Sequence, residues 1–135
     1  MSGQEKIITR DEAMAILSKY VKSESLIHHA LAVEAAMAFY AEKYNEDIEL
    51  WRAVALLHDF DWEIHPTLEE HPQKGALILR ELGVPEEIIK AVLSHADHTN
   101  EPRDNLMKKT LYACDEICGL ITACLLYTSP SPRDS

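Results

Sequence analysis

Apolar residues recur at helical intervals along most of the chain. After Thr9-Arg10-Asp11-Glu12, which has the form of a capping box, Ala13, Met14, Ile16, Leu17, Tyr20 and Val21 follow at the spacing of one helix face. A second helix is predicted from about Leu26 to Tyr44, with Ser23 or Ser25 near its start. A third opens near Asp47 and carries Leu50, Trp51, Val54, Leu56 and Leu57 up to His58-Asp59. Ala53 to Leu57 is apolar without a break, so this helix should be central and buried on most sides. A short connection from Phe60 to Pro66 follows. Pro72 then marks the start of a fourth helix, closed by Gly83 after Leu82, and Pro85 repeats the start signal for a fifth. Asn100 to Asp104 reads as a loop and about Asn105 to Ala123 as the last helix. No segment alternates in the manner of a strand, and no internal repeat is present.

The pattern specifies an all-α, single-domain protein. Composition agrees: in 135 residues there are 4 glycines, 47% hydrophobic and 27% charged residues, with many Ala, Leu, Glu and Lys. The end departs from it. Residues 124–135, from Cys124 to Ser135 with Pro130 and Pro132, resemble one reading frame of a transposase sequencing adapter. The expected organisation is therefore a domain over 1–123, truncated at its C-terminal side, and a non-native tail over 124–135. Such a truncation should leave apolar surface exposed near the last helix.

The formal net charge of −10 argues against a general affinity for nucleic acid or anionic membrane, although bound cations can invert the field locally for a small anionic substrate. No apolar run approaches membrane-spanning length and residues 1–10 are polar, so the expected compartment is the cytoplasm. The 3 cysteines suit reduced thiols better than a disulfide framework.

Histidines carry the candidate chemistry. Among the 7, His58 stands with Asp59 at the end of the most apolar helix, where an imidazole and a carboxylate both need a partner. Consecutive helical residues diverge by about 100°, so the pair straddles a point near the helix end, and a cation there satisfies both. His29 lies on an otherwise apolar helix, and Asp115 sits in the apolar run Tyr112-Ala113-Cys114-Asp115-Glu116-Ile117. Each alone has a bland explanation as a hydrogen-bonded core residue. Together they offer two imidazoles and two carboxylates, a donor set suited to Mn²⁺, Fe²⁺, Mg²⁺ or Zn²⁺.

The order His29, His58-Asp59, Asp115 on successive helices resembles the HD superfamily of metal-dependent phosphohydrolases. The likeness covers about Ser25 to Ala123. It extends to Leu31-Ala32-Val33-Glu34-Ala35, Gly83-Val84-Pro85-Glu86-Glu87 and Ala113-Cys114-Asp115-Glu116-Ile117-Cys118-Gly119-Leu120, as in small, poorly characterised bacterial HD proteins. The resemblance implies an HD-type fold with a divalent metal between helices and hydrolysis of a phosphate ester, such as a nucleotide or related metabolite. Members with two metals add two histidines between the His-Asp pair and the last aspartate, and His71 and His95 stand in that order here. Asp59 would then bridge two ions about 3.5–4 Å apart.

The substrate is not implied. Where cyclic-dinucleotide phosphodiesterases of the superfamily carry a lysine after the His-Asp pair, and nucleotidase-like and alarmone-hydrolysing branches a glutamate, this chain has Trp62; the Gly-Tyr-Pro signature of the first branch is also missing. Asp61 and Glu63 flank the position, and either reads as a solvated loop carboxylate or as a group that orients a water; Lys74 reads as an exposed helical lysine without a role or as a point charge that meets a phosphate. Cys114 and Cys118 read as small buried hydrophobes. Two rival readings remain open. One is a di-iron oxygenase built on the same ligands, and the other is a regulatory module whose metal is structural.

Overall fold

A computed structural model describes residues 8–61, 71 and 73–128, without the side chains of Asp97 and residues 122–128. The expectations placed on Trp62, Glu63, Pro66 and Pro72 lie outside the described residues. The described residues form six α-helices: α1 (Arg10–Tyr20), α2 (Glu24–Lys43), α3 (Ile48–Leu57), α4 (Gln73–Glu81), α5 (Glu86–Ser94) and α6 (Leu106–Thr128), with a 3₁₀ turn at Asp97–Thr99. There is no strand among the described residues. None of the helices there is long and apolar enough to cross a membrane.

Local signals set the helix starts. The Thr9 hydroxyl accepts from the Glu12 backbone N–H at 3.1 Å and Glu12 Oε1 accepts from the Thr9 N–H at 2.9 Å, a complete capping box. Ser23 caps α2 and Asp47 caps α3, each through its side-chain oxygen. Gly83 ends the α4 turn at φ 83°, a conformation that disfavours any side chain, and Pro85 stands at the N-cap of α5.

Helix α3 packs against α1, α2 and α5, while α6 lies on α2 and α5, and α4 on α5. Trp51, Ala53, Val54, Ala55, Leu56 and Leu57 are all at most 1% exposed, so α3 is the buried axis of the bundle. Each large apolar side chain so buried stabilises by roughly 1.5–3 kcal/mol, which lets α3 carry His58 inside. Partner helices meet it with Leu17, Ala30, Val33, Met37, Ile88, Val92 and Leu111.

Two features depart from the sequence expectation. Helix α6 continues through Thr128, past the boundary expected at residue 123. Leu125, Leu126 and Tyr127 contain no helix breaker, and only Pro130 disfavours the helical conformation of the residue before it. On the described part of α6, Ile117, Leu120 and Ile121 are 54–60% exposed. The second feature is an ion cluster between α1, α2 and α3. Glu34 is 6% exposed and accepts from Arg10 Nε at 2.5 Å, Arg10 Nη2 at 3.0 Å and Arg52 Nε at 2.9 Å.

Burial alone would raise the Glu34 pKa, but the hydrogen bonds from Arg10 and Arg52 outweigh it and hold the carboxyl below its ordinary value. A lowered carboxylate pKa stabilises the fold above the unfolded-state value, about 4.3, and that contribution is lost as the pH falls through the folded value. The Arg10 and Arg52 side chains are 24% and 35% exposed, so water offsets part of the loss of their partner. Glu34→Gln should therefore lower stability by roughly 1–3 kcal/mol at pH 7. Urea unfolding at pH 7 and pH 3.5 should show the gap between variant and parent shrinking in acid, because only the parent has an ion cluster to lose.

Candidate metal centre

Helix ends deliver most of the centre. His58 is the C-cap of α3, Asp59 follows it, His71 precedes α4, and His95 is the C-cap of α5. His29 and Asp115 reach it from within α2 and α6, one in the second turn and the other near the middle. A side chain at a helix end has room to turn inward. These two residues instead sit beside buried Ala30 and Cys114, at the edge of the face that each helix presents to the core.

The side chains of His29, His58, Asp59 and Asp115 offer ligand atoms within 4.8 Å of one another, and so do Asp59, His71 and His95. Asp59 belongs to both groups and divides its oxygens between them. Its Oδ2 lies 3.4 Å from His58 Nε2 and 3.9 Å from His29 Nε2. Its Oδ1 lies 3.0 Å from His71 Nε2 and 3.2 Å from His95 Nε2. Asp115 Oδ1 closes the first group, 2.9 Å from His29 Nε2 and 3.2 Å from His58 Nε2.

The far side of three rings is pinned. His58 Nδ1 donates to the Ala55 carbonyl at 2.6 Å, His95 Nδ1 donates to the Val92 carbonyl, and His71 Nδ1 meets Asp61 Oδ1 at 2.5 Å. A proton held on Nδ1 leaves the Nε2 lone pair facing the centre, the arrangement that metal-binding imidazoles need. Ring centroids of His29–His58, His58–His95 and His71–His95 are only 5.2–5.3 Å apart. Neutral imidazoles around a cation satisfy that crowding, whereas several imidazolium ions would repel. The donor set of imidazole nitrogens and carboxylate oxygens fits a divalent first-row metal.

Electrostatics point the same way. Burial lowers the His58 pKa, but Asp59 and Asp115 overcome it and push it up to about 9. For His71, burial is likewise outweighed by Asp59 and Asp61, which raise it to about 9. Burial would raise Asp59 and Asp115, yet the facing histidines hold both below the usual carboxylate range. The carboxylates thus keep positive charge in the cavity, as protons or as a metal.

Asp61 takes a place the sequence did not indicate. It is fully buried, with Oδ1 on His71 and Oδ2 accepting from the Gly75 N–H at 3.1 Å. It is therefore no solvated loop carboxylate aimed at a water; both oxygens are committed to holding His71 and the first turn of α4. Gly75 makes that approach sterically feasible, since a Cβ there would fall 2.5 Å from the Asp61 carboxylate. Lys74 is exposed and lines a separate cleft of about 450 Å³ with Gln73, Arg80, His98 and Thr99, which none of the six candidate ligands borders. His98 Nε2 donates to the His71 carbonyl at 2.8 Å and so fixes the backbone of that residue. His28 is exposed. Cys114 and Cys118 form no disulfide among the described residues, and burial pushes both thiols up, Cys114 to about 11, which keeps them protonated.

Similarity to known proteins follows the same residues. A sequence profile of the HD domain matches residues 26–120. An uncharacterised protein of Methanocaldococcus jannaschii is 40% identical over 83 residues, 58% of this chain and 48% of that protein. A tRNA (cytidine(56)-2'-O)-methyltransferase of Thermoplasma volcanium is 35% identical over 91 residues, 67% of this chain and 27% of that protein. The chain thus spans about half the length of the first relative and about a quarter of the second. No solved structure matches it significantly.

Two outcomes are expected. Metal must displace the protons that His58 and His71 hold up to about pH 9, so uptake near pH 7.5 should release protons and affinity should keep rising from pH 6 towards 9. Calorimetry in buffers of different ionisation enthalpy reads both. Gly75→Ala should displace Asp61, leave His71 without its anchor, and weaken metal binding at the Asp59–His71–His95 group by about 10-fold or more. Unchanged binding isotherms for this variant would count against the anchoring role of Asp61.

Proposed function

Because this chain belongs to the HD domain family, we propose that it is a metal-dependent phosphohydrolase that holds two divalent ions side by side and cleaves a phosphate ester of a small metabolite. The observation that carries the reading is the division of Asp59 between two ligand groups, with Oδ2 towards His29 and His58 and Oδ1 towards His71 and His95. A carboxylate used in this way is the natural bridge of a two-ion site. His29, His58 and Asp115 would complete the first position, and His71 and His95 the second.

Charge supports a phosphate substrate. Asp59 and Asp115, with the Asp61 carboxylate behind His71, bring three negative charges to neutral imidazoles, so two divalent ions leave a surplus of one positive charge, while one ion leaves a deficit of one. That surplus would sit inside a chain of net charge −10. A compact anion that reaches the centre gains from it; a polyanion meets the repulsion of the whole surface. The name of the Thermoplasma relative gives an RNA target to that protein, but the charge of this chain favours small phosphate esters.

The bound ions would supply a water of lowered pKa and a clamp on the phosphoryl oxygens. The chain's own contribution is orientation and exclusion. The Ala55 and Val92 carbonyls and Asp61 keep the Nε2 atoms of His58, His95 and His71 turned inward. Leu57 and Phe60, both fully buried, flank the His58-Asp59 pair and keep bulk water from its inner side.

The deciding comparison is Asp59→Ala against the parent, both metal-replete and with helix content matched by circular dichroism. Phosphate release from mono- and diesters should fall by about 100-fold or more, since the variant loses a ligand of both ions. Lys74→Ala should stay within about threefold, as a surface lysine outside the ligand groups. Equal release from Asp59→Ala and parent would sink the hydrolase reading. Substrate-dependent oxygen uptake by the iron-loaded parent, with no phosphate released, would replace it with the oxygenase.

A further inference from the structure

The last four carbonyls of α5 have no partner within the helix, as at any helix end. Here each receives a side-chain donor. Ser94 Oγ bonds Ala91 at 2.7 Å, His95 Nδ1 bonds Val92, Thr99 Oγ1 bonds Leu93 at 2.6 Å, and Arg103 Nε bonds Ser94 at 2.8 Å. The first donor is the last residue of α5 itself, and the next two come from the immediately following chain. Arg103 differs, because its guanidinium carbon also lies 3.7 Å from the centre of the Tyr112 ring on α6. Ser94 directly precedes His95, and Tyr112 lies one turn before Asp115. One planar cation therefore links the carbonyl beside a ligand of one group to the helix that carries a ligand of the other.

The loop that presents Arg103 is itself fastened. Glu101 and Asp104, on either side, accept from Lys108 Nζ at 3.5 and 3.0 Å, and Lys108 is only 6% exposed. Asn105 caps the following turn by accepting from the Lys108 N–H at 2.8 Å. The side chain at 103 has to donate along its plane to a carbonyl and lie flat on an aromatic face. Arginine does both, and lysine, a compact point charge, does not. The negative end of the α5 dipole favours the same cation.

We propose that Arg103 is a positioning residue of the metal centre, which sets His95 relative to Asp115 by clamping the end of α5 to Tyr112 and thereby maintains the second ion position. The proposal rests on the two-ion reading above. Removing the clamp frees the Ser94 carbonyl and the α5 end, so His95 Nε2 loses its fixed relation to Asp59 Oδ1. The His29, His58, Asp115 position does not use α5 and keeps its ligands.

The test is a Mn²⁺ titration of the full chain by calorimetry, with electron paramagnetic resonance of the same samples, for the parent, Arg103→Met, Arg103→Lys and Tyr112→Leu. The parent should take two equivalents and show the broadened signal of a coupled pair. Arg103→Met and Tyr112→Leu should weaken the second equivalent by about 10-fold or more, as loss of an outer support does, and leave the first within about threefold. Their signal at two equivalents should be that of isolated ions, and Arg103→Lys should recover part of the affinity. A second equivalent bound as tightly by Arg103→Met as by the parent overturns the proposal. So does parallel loss of both equivalents with a lowered melting temperature, which would make Arg103 a general stabiliser. If Arg103→Met does not fold, Tyr112→Leu and Arg103→Lys carry the same comparison. A parent that binds one equivalent overturns the two-ion reading, and this inference with it.

Discussion

Gathering four imidazoles and two carboxylates, buried or half-buried, beside the most apolar helix of the bundle is the constraint around which the rest of the structure is arranged. An unpaired polar group in such a place costs several kcal/mol, and an unpaired charge far more. Every inward-facing group is accordingly matched. Asp59 and Asp115 face imidazole nitrogens at 2.9–3.9 Å, and the outer nitrogens of His58, His71 and His95 are each bonded to a carbonyl or to Asp61. The helices that deliver these residues could be exchanged for others of similar packing. The matching could not, because removing one partner leaves another buried and unsatisfied. That is why the second layer, Asp61 with the Gly75 N–H behind it, is as closely fitted as the first.

How much of this was legible in the sequence depends on the range of the interaction. Thr9 with Glu12, Ser23, Asp47, Gly83 and Pro85 mark helix boundaries through contacts with neighbours a few residues away, and a linear reading finds such signals. The central place of α3 was legible for a similar reason, since an unbroken apolar run leaves a helix no solvent face. His29, His58, Asp59 and Asp115 were suggested by residue type in apolar company, but His71 and His95 entered only through resemblance to a family. Their own surroundings, His71 before Pro72 and His95 after Leu93-Ser94, are no different from those of many surface histidines.

What escaped the sequence is non-local. Glu34 reads as one more acidic residue on a helix, and nothing in the chain says that Arg10 and Arg52, on two other helices, converge on it. Asp61 reads as a solvated loop carboxylate because its partners, His71 and the Gly75 N–H, come together only when α4 folds back. Gly75 is the local signal, since a glycine within a helix is less favourable than alanine and so asks for a compensating contact. The end of α6 was misjudged in the opposite way. Serine and proline at the end of the chain suggested a break at residue 123, yet the intervening Leu125, Leu126 and Tyr127 are compatible with helix, which runs on to Thr128.

The two halves of the centre are not equally supported. The first draws its ligands from α2 and α6, of 20 and 23 residues, and from the end of the buried α3. The second takes His71 and His95 from the margins of α4 and α5, which have 9 residues each. Helices that short have little stability of their own and hold their shape only through packing and end contacts. The concentration of polar pins on that side, with Asp61 and His98 on His71, Thr99 on Leu93 and Arg103 on Ser94, then has a physical reason. Long helices can hold a ligand by the sum of many apolar contacts, whereas short ones need directional bonds at the residues beside the ligand. The Asp59, His71 and His95 group therefore owes its geometry to these directional end contacts in addition to the core that Leu79, Ile88, Ile89 and Val92 join.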